Sequence, residues 1–233
     1  MKKNWACSDL HGNKKIFDAM KEKIGEEDTV IFLGDAIDRG PEGWSILKEM
    51  LTDKRFIVLK GNHEDMMVNA ARTGFGFSRK FDLWFSNGGS VTWESCCTEI
   101  GDWIDKIAEL PIIYRYTNAN GEKLLFSHSG YGPWNYEAEL EDDGSWIIED
   151  VLWNRDHFYE DWVGAENEIV IHGHTPTVYL INQLIQKDGV ELQPGALWYC
   201  GGHKCCIDCG TAFTKSSTLM NLDTFEEEIF CEE

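Results

Sequence analysis

The chain has 233 residues, of which 42% are hydrophobic, with 21 basic against 41 acidic side chains and a net charge of −20. That apolar fraction supports a packed core, and the acid excess argues against general affinity for nucleic acid or anionic membranes. No apolar run reaches the roughly 18 residues of a membrane span, and polar residues follow Lys2 and Lys3 where a signal peptide would have its apolar core, so a cytoplasmic protein is expected.

In chain order, Trp5 to Ser8 reads as a short apolar strand, DLHGN as a loop, and the spacing of Phe17, Met20 and Ile24 as a helix. The unit repeats: TVIFLG is a second strand, DAIDRGPEG a glycine- and proline-punctuated loop, and WSILKEML a helix. FIVLKG and NHEDMMVNAAR make a third strand and helix. Alternation of this kind predicts an α/β fold with parallel pairing, and ligands bind outside the carboxyl ends of such strands.

Those ends carry the chemistry. Asp9 and His11 are two residues apart, so in an extended segment both point the same way and can share a metal; a helix-capping Asp beside a surface His is the plain alternative. Asp35 ends the second strand, with Asp38 and Arg39 following in a glycine-flanked turn, an arrangement that also occurs in ordinary Asp/Gly turns. GNHED places Asn62, His63 and Glu64 at the third strand end, where Asn62 also suits a helix cap.

From Gly74 to Asn120 the pattern is mainly helical and rich in tryptophan, and reads as a cap segment. EKLLFSHSG then sets His128 at the end of an apolar strand, and NEIVIHGHTP sets His172 and His174 at the end of another. Between them, Tyr131 to Asp150 is acidic and reads as a solvated loop bordering the site. Five strand ends bearing ligand-type side chains together point to a dinuclear metal site. A positive field for phosphate must then be local, from cations and a few arginines.

The eight cysteines include the adjacent pairs Cys96-Cys97 and Cys205-Cys206, which suit a reducing compartment better than a disulfide framework. Cys200, Cys205, Cys206 and Cys209 lack the paired short spacings of structural zinc. KCCIDCGTAF reads as a strand with Cys205, Ile207 and Cys209 on one face. With no linker in sight, residues 1–233 are expected to form a single domain, with the cap at about 74–120.

The blocks SDLHG, GDAIDRG, GNHE, HSG and GHTP, in this order from Ser8 to Pro176, resemble the calcineurin-like metallophosphoesterases, and within them the phosphoprotein phosphatases, including small bacterial and phage serine/threonine phosphatases. The resemblance implies a four-layer fold, two central mixed β-sheets in a sandwich flanked by helices. It implies two metal ions, with manganese, iron or zinc all suited to the ligand set. Asp9 and His11 would hold the first, Asp35 would bridge, and Asn62, His128 and His174 would hold the second. His63, paired with Asp38, would be the general acid, and Arg39, Arg155 and Asn62 would bind phosphate. His172 falls outside this pattern.

The activity implied is phosphomonoester hydrolysis by in-line attack of a metal-bridging hydroxide, on a phosphorylated protein or a small phosphoester. A dinucleoside polyphosphate hydrolase of the diadenosine tetraphosphate type shares the motifs and is the alternative; a catalytically silent scaffold is a third reading. Ser8, Ala36 and Ser129 depart from the family pattern, and none of them is a ligand position.

Overall fold

The computed structural model describes residues 2–74, 76, 78–132, 135, 147–159, 168–180 and 193–232, except for the side chains of 147–149. The acidic stretch EAELEDDG lies outside the described residues. Strands β1 (Asn4–Cys7), β2 (Thr29–Phe32) and β3 (Phe56–Val58) alternate with helices α1 (Lys14–Lys23), α2 (Gly43–Thr52) and α3 (Asn62–Thr73). The pairing β1–β2 and β2–β3 is parallel, as the alternation predicts. Asn13 caps α1 by accepting from the Ile16 N–H at 3.1 Å, and Gly61 precedes α3. Asp9 and Asn62 are therefore not helix caps, which leaves their oxygens for other partners.

After α3 the chain is helical through α4 (Arg79–Trp84), α5 (Ser90–Cys96) and α6 (Ile104–Ala108), then enters β4 (Ile113–Thr117) and β5 (Lys123–Ser127). Helix α7 (Ile147–Trp153), β6 (Ile169–His172), β7 (Leu197–Tyr199), β8 (Lys204–Cys206), the one-turn α8 (Thr211–Thr214), β9 (Ser216–Asn221) and β10 (Glu227–Cys231) follow. Among the described residues two five-stranded sheets result, ordered β10-β9-β1-β2-β3 and β4-β5-β6-β8-β7. Each mixes parallel and antiparallel pairs.

Strand alternation assigns each side chain to a layer. Ala6, Ile31, Leu33, Met220 and Leu222 of the first sheet meet Leu124, Phe126, Ile171, Cys205 and Ile207 of the second in one buried core. Trp5, Cys7, Val30 and Phe32 point the other way, onto Phe17, Met20, Leu47 and Met67 of the helices. On the outer face of the second sheet, Leu125 and Val170 pack against Val151 and Leu152 of α7. The order is helix, sheet, sheet, helix, the four layers expected. Cys205 and Ile207 share the central core while Cys206 joins Phe158 and Leu180 on the opposite face, so the alternation read from KCCIDCGTAF holds as far as Ile207; the strand itself stops at Cys206, and Thr211 to Phe213 belong to α8. Among the described residues no helix is long and apolar enough to cross a membrane.

Candidate active site

The loops after β1, β2, β3, β5 and β6 meet at one edge of the sandwich. The first two are zipped together by backbone bonds, from the Asp9 N–H to Gly34 O at 3.1 Å and from the His11 N–H to Asp35 O at 3.0 Å. The second sheet is tied in by His128 Nδ1, 2.8 Å from Leu33 O, and by the His174 N–H, which donates to Asp9 Oδ2 at 3.1 Å. Gly173 makes that approach feasible: a Cβ there would strike Ser8 Oγ and Asp9 Oδ2. Among the described residues, six of the nine non-glycine residues with positive φ belong to these loops, namely Asp9, His11, Asp35, Asp38, Arg39 and His174. Left-handed backbone at ordinary residues costs about 1–3 kcal/mol each and persists where surrounding contacts enforce it, often at functional sites.

Asp35 Oδ2 lies 3.7 Å from His11 Nε2, 3.4 Å from His128 Nε2 and 3.8 Å from His63 Nε2. Two sets of buried donors, His11 with Asp35 and His63, and Asp35 with His128 and His174, each have ligand atoms within 4.8 Å of one another. Asp35 is common to both. Asn62 Oδ1 adds a donor to the second set, 2.8 Å from His128 Nε2 and 3.0 Å from His174 Nδ1. The Asp9 carboxylate accepts from Ser8 Oγ as well as from the His174 N–H.

This donor set fits a pair of cations. His11 Nδ1 is 2.9 Å from Ile37 O, which fixes the ring and turns Nε2 toward Asp35, the outer-sphere arrangement typical of metal-bound imidazole. His174 Nε2 is buried without a hydrogen-bond partner among the described residues. Burial, the neighbouring His63 and Arg39 hold His11 down to about 3, and burial with His128 and Arg155 holds His174 well below the usual range, so both rings are neutral. Burial also disfavours charge on His128, but Asp35 and Asp9 outweigh it and raise that ring to about 10. Burial, and after it the Asp35 charge, lifts Asp9 to about 6. Two buried carboxylates that repel each other beside the neutral rings of His11 and His174 are the electrostatics that a divalent cation relieves.

Beside these donors, His63 Nδ1 is 2.7 Å from Asp38 Oδ2. Burial opposes a charge on His63, yet Asp35 and Asp38 prevail and raise its pKa. Arg39 reaches both rings, with Nη1 2.7 Å from His11 Nε2 and Nη2 3.0 Å from His63 Nε2. Arg155 Nε donates to Thr175 Oγ1 at 3.1 Å, and its side chain shares a cleft with Arg39 and His174. His172 faces away, its Nε2 2.7 Å from the Tyr199 hydroxyl.

Sequence reasoning assigned no supporting role to four residues. Buried Glu64 accepts three backbone N–H groups, from Asp35 (2.8 Å), Ala36 (2.9 Å) and Gly61 (2.9 Å), and so clamps the second loop to the third. Its place three residues after Gly61 is the capping-box spacing, a legible signal. Trp84 Nε1 donates to Asp38 Oδ2 at 3.0 Å, and Thr92 Oγ1 donates to Asp38 Oδ1 at 2.7 Å; no local pattern announces either. Asp208, two residues past β8 in the IDCG run, is buried, and burial and Asp9 push its pKa far up.

The family model for calcineurin-like phosphoesterases matches residues 3–206. Serine/threonine-protein phosphatase 2 of Escherichia coli (strain K12) is 32% identical over 133 residues, covering 54% of this chain and 58% of that protein. A symmetrical bis(5'-nucleosyl)-tetraphosphatase of Delftia acidovorans is 26% identical over 133 residues, covering 55% and 44% of the two chains. The alignments thus span less than two thirds of either relative. A solved structure provisionally assigned as a diadenosine tetraphosphatase superposes with a TM-score of 0.67 at 11% identity, covering 98% of this chain and 92% of that one, a likeness of fold. With its four layers, its clustered His and Asp donors and a match over most of its length, the chain belongs to the calcineurin-like phosphoesterase family of metal-dependent phosphoester hydrolases.

Proposed function

We propose that the chain is a dinuclear-metal phosphomonoesterase that removes phosphate from serine and threonine side chains of proteins. The observation that carries the reading is the His63–Asp38 pair, 2.7 Å apart, standing beside convergent donors around Asp35. In this reading Asp9 and His11 would hold one cation, Asn62, His128 and His174 the other, and Asp35 would contribute to both. Bound cations supply Lewis acidity, lowering the pKa of water and neutralising charge on the phosphoryl oxygens.

The protein's own residues supply orientation and a proton. Arg39 and Arg155 present guanidinium forks that suit phosphoryl oxygens. Because Arg39 Nη2 lies 3.0 Å from His63 Nε2, an ester held by that guanidinium has its leaving oxygen within reach of the imidazole. Asp38 keeps Nδ1 protonated and favours the imidazolium; when the Arg39 guanidinium turns from Nε2 to the phosphoryl oxygens, Nε2 carries the proton that His63 donates to the departing alkoxide. Trp84 and Thr92 hold Asp38 in turn. Trp84→Phe removes the indole donor but keeps a ring, so kcat is expected to fall about tenfold, the worth of about one hydrogen bond, with KM little changed. Steady-state kinetics check this; an unaltered kcat would mean that Thr92 alone suffices.

Turnover of metal-reconstituted protein on phosphoserine and phosphothreonine peptides, free nucleotides and dinucleoside polyphosphates tests the substrate. The highest kcat/KM is expected on phosphopeptides, with activity abolished by chelation. The dinucleotidase relative gives the second reading, and a dinucleoside tetraphosphate turned over faster than any peptide would establish it instead. Metal-loaded protein inert toward the whole panel would leave a scaffold.

A further inference from the structure

Six large hydrophobic side chains are exposed among the described residues, and three of them, Tyr159, Tyr179 and Phe213, line a single cleft of about 650 Å³. Arg39, Arg155 and His174 line the same cleft. Single exposed apolar residues are ordinary, but a group of them beside two guanidiniums marks a binding surface. The volume is that of a small-ligand site.

The rings are held in place. Those of Tyr179 and Phe213 lie 5.1 Å apart at 32°, a tilted stack, with 52% and 47% of each residue facing solvent. Phe213 is supported from beneath: Gly210 has φ 75°, and a Cβ there would collide with the Phe213 ring. The Phe213 N–H also bonds Gly210 O at 3.0 Å, and the Tyr179 N–H bonds Pro176 O at 2.9 Å. Local backbone thus presents both rings outward at little further entropic cost on binding.

We infer that, if the substrate is a phosphoprotein as proposed above, this aromatic wall is a specificity subsite for a large apolar or aromatic side chain flanking the phosphorylated residue. Successive residues of an extended peptide are about 3.8 Å apart, so a neighbour of the phosphoester falls within the cleft that Arg39 and Arg155 share with the rings. Pro176, Leu180 and Ala212 complete the wall. Such surface suits Leu, Met or Phe, with the two guanidiniums of the same cleft left for the phosphate. The net charge of −20 further disfavours acidic flanks.

The test uses phosphoserine peptides identical except for Phe, Ala or Asp on either side of the phosphoresidue, with metal-loaded wild type and the Tyr179→Ala/Phe213→Ala double variant. Wild type is expected to favour Phe over Ala in kcat/KM by about tenfold on at least one side, the scale of one apolar group in a pocket. In the double variant the ratio should fall to near one, with a cooperative thermal transition showing that the fold is kept. Tyr179→Ser alone, at a half-exposed position, gives the same readout should the double variant unfold. Equal rates on Phe and Ala peptides overturn the subsite and leave the phosphatase reading standing. Hydrolysis of a dinucleoside tetraphosphate that exceeds every peptide and falls in the double variant overturns it too, assigning the wall to a base. Failure to hydrolyse any phosphopeptide removes the substrate class on which it rests.

Discussion

Replacing His63 by alanine is expected to lower kcat on phosphoserine peptides by about 10²–10⁴-fold, the usual contribution of a positioned general acid. The loss should depend on the leaving group. A serine alkoxide is strongly basic and must be protonated as it departs, whereas para-nitrophenolate leaves unaided, so the variant should retain far more of its para-nitrophenyl phosphate activity. Metal content should be unchanged. That control matters because His63 Nε2 is 3.8 Å from Asp35 Oδ2 and belongs with His11 and Asp35 to one cluster of donors. Kinetics on the two substrates, with elemental analysis of the purified variant, separate the roles: equal losses on both together with a missing ion would make His63 a ligand and not the acid.

The largest effect on stability is expected from Glu64→Ala. Three buried N–H groups, those of Asp35, Ala36 and Gly61, would lose their acceptor together. Leaving a buried donor unsatisfied costs about 1–3 kcal/mol, so the sum takes up much of a typical domain's stability of about 5–15 kcal/mol. Glu64→Gln is the informative companion. Glu64 Oε2 accepts from both Asp35 and Gly61, and Oε1 from Ala36 alone, so an amide with its oxygen at the first place fails only the Ala36 N–H. Urea unfolding should rank wild type above Gln and Gln above Ala. Equality of Gln and Ala would show that the negative charge, not the number of acceptors, holds the loops.

The first sheet's parallel half was legible because β1 to β3 are apolar runs that stop where ligand-type side chains begin, and burial on both faces demands such runs. Strand β9 was not. SSTLMN looks like a polar connection, yet Ser216, Ser217 and Thr218 are buried because β9 lies between β10 and β1. Only the closing of the sheet by the last strands puts hydroxyls there, and no window of sequence contains that fact. The same division runs through the site. Asp9, Asp35, Asn62, His128 and His174 each end a recognisable strand, so their convergence follows once the sheets form. Trp84 and Thr92 reach Asp38 across 46 and 54 residues from a helical segment whose aromatic content signals packing alone. Glu64 lay in plain view in GNHE, but its three partners come from the preceding loop as well as its own, and only the folded chain unites them.

The left-handed corners at Asp9, His11, Asp35, Asp38, Arg39 and His174 bear on how this molecule can be engineered. Glycine would relax any of them by about 1 kcal/mol, and at Asp9 it would also remove an ionisable group that burial and Asp35 make costly. A screen that rewards heat resistance alone is therefore drawn toward these corners and selects enzymes that endure but no longer work. Hardier versions should be sought on the outward faces of α1 and α2, where a change in rigidity does not blunt the machinery.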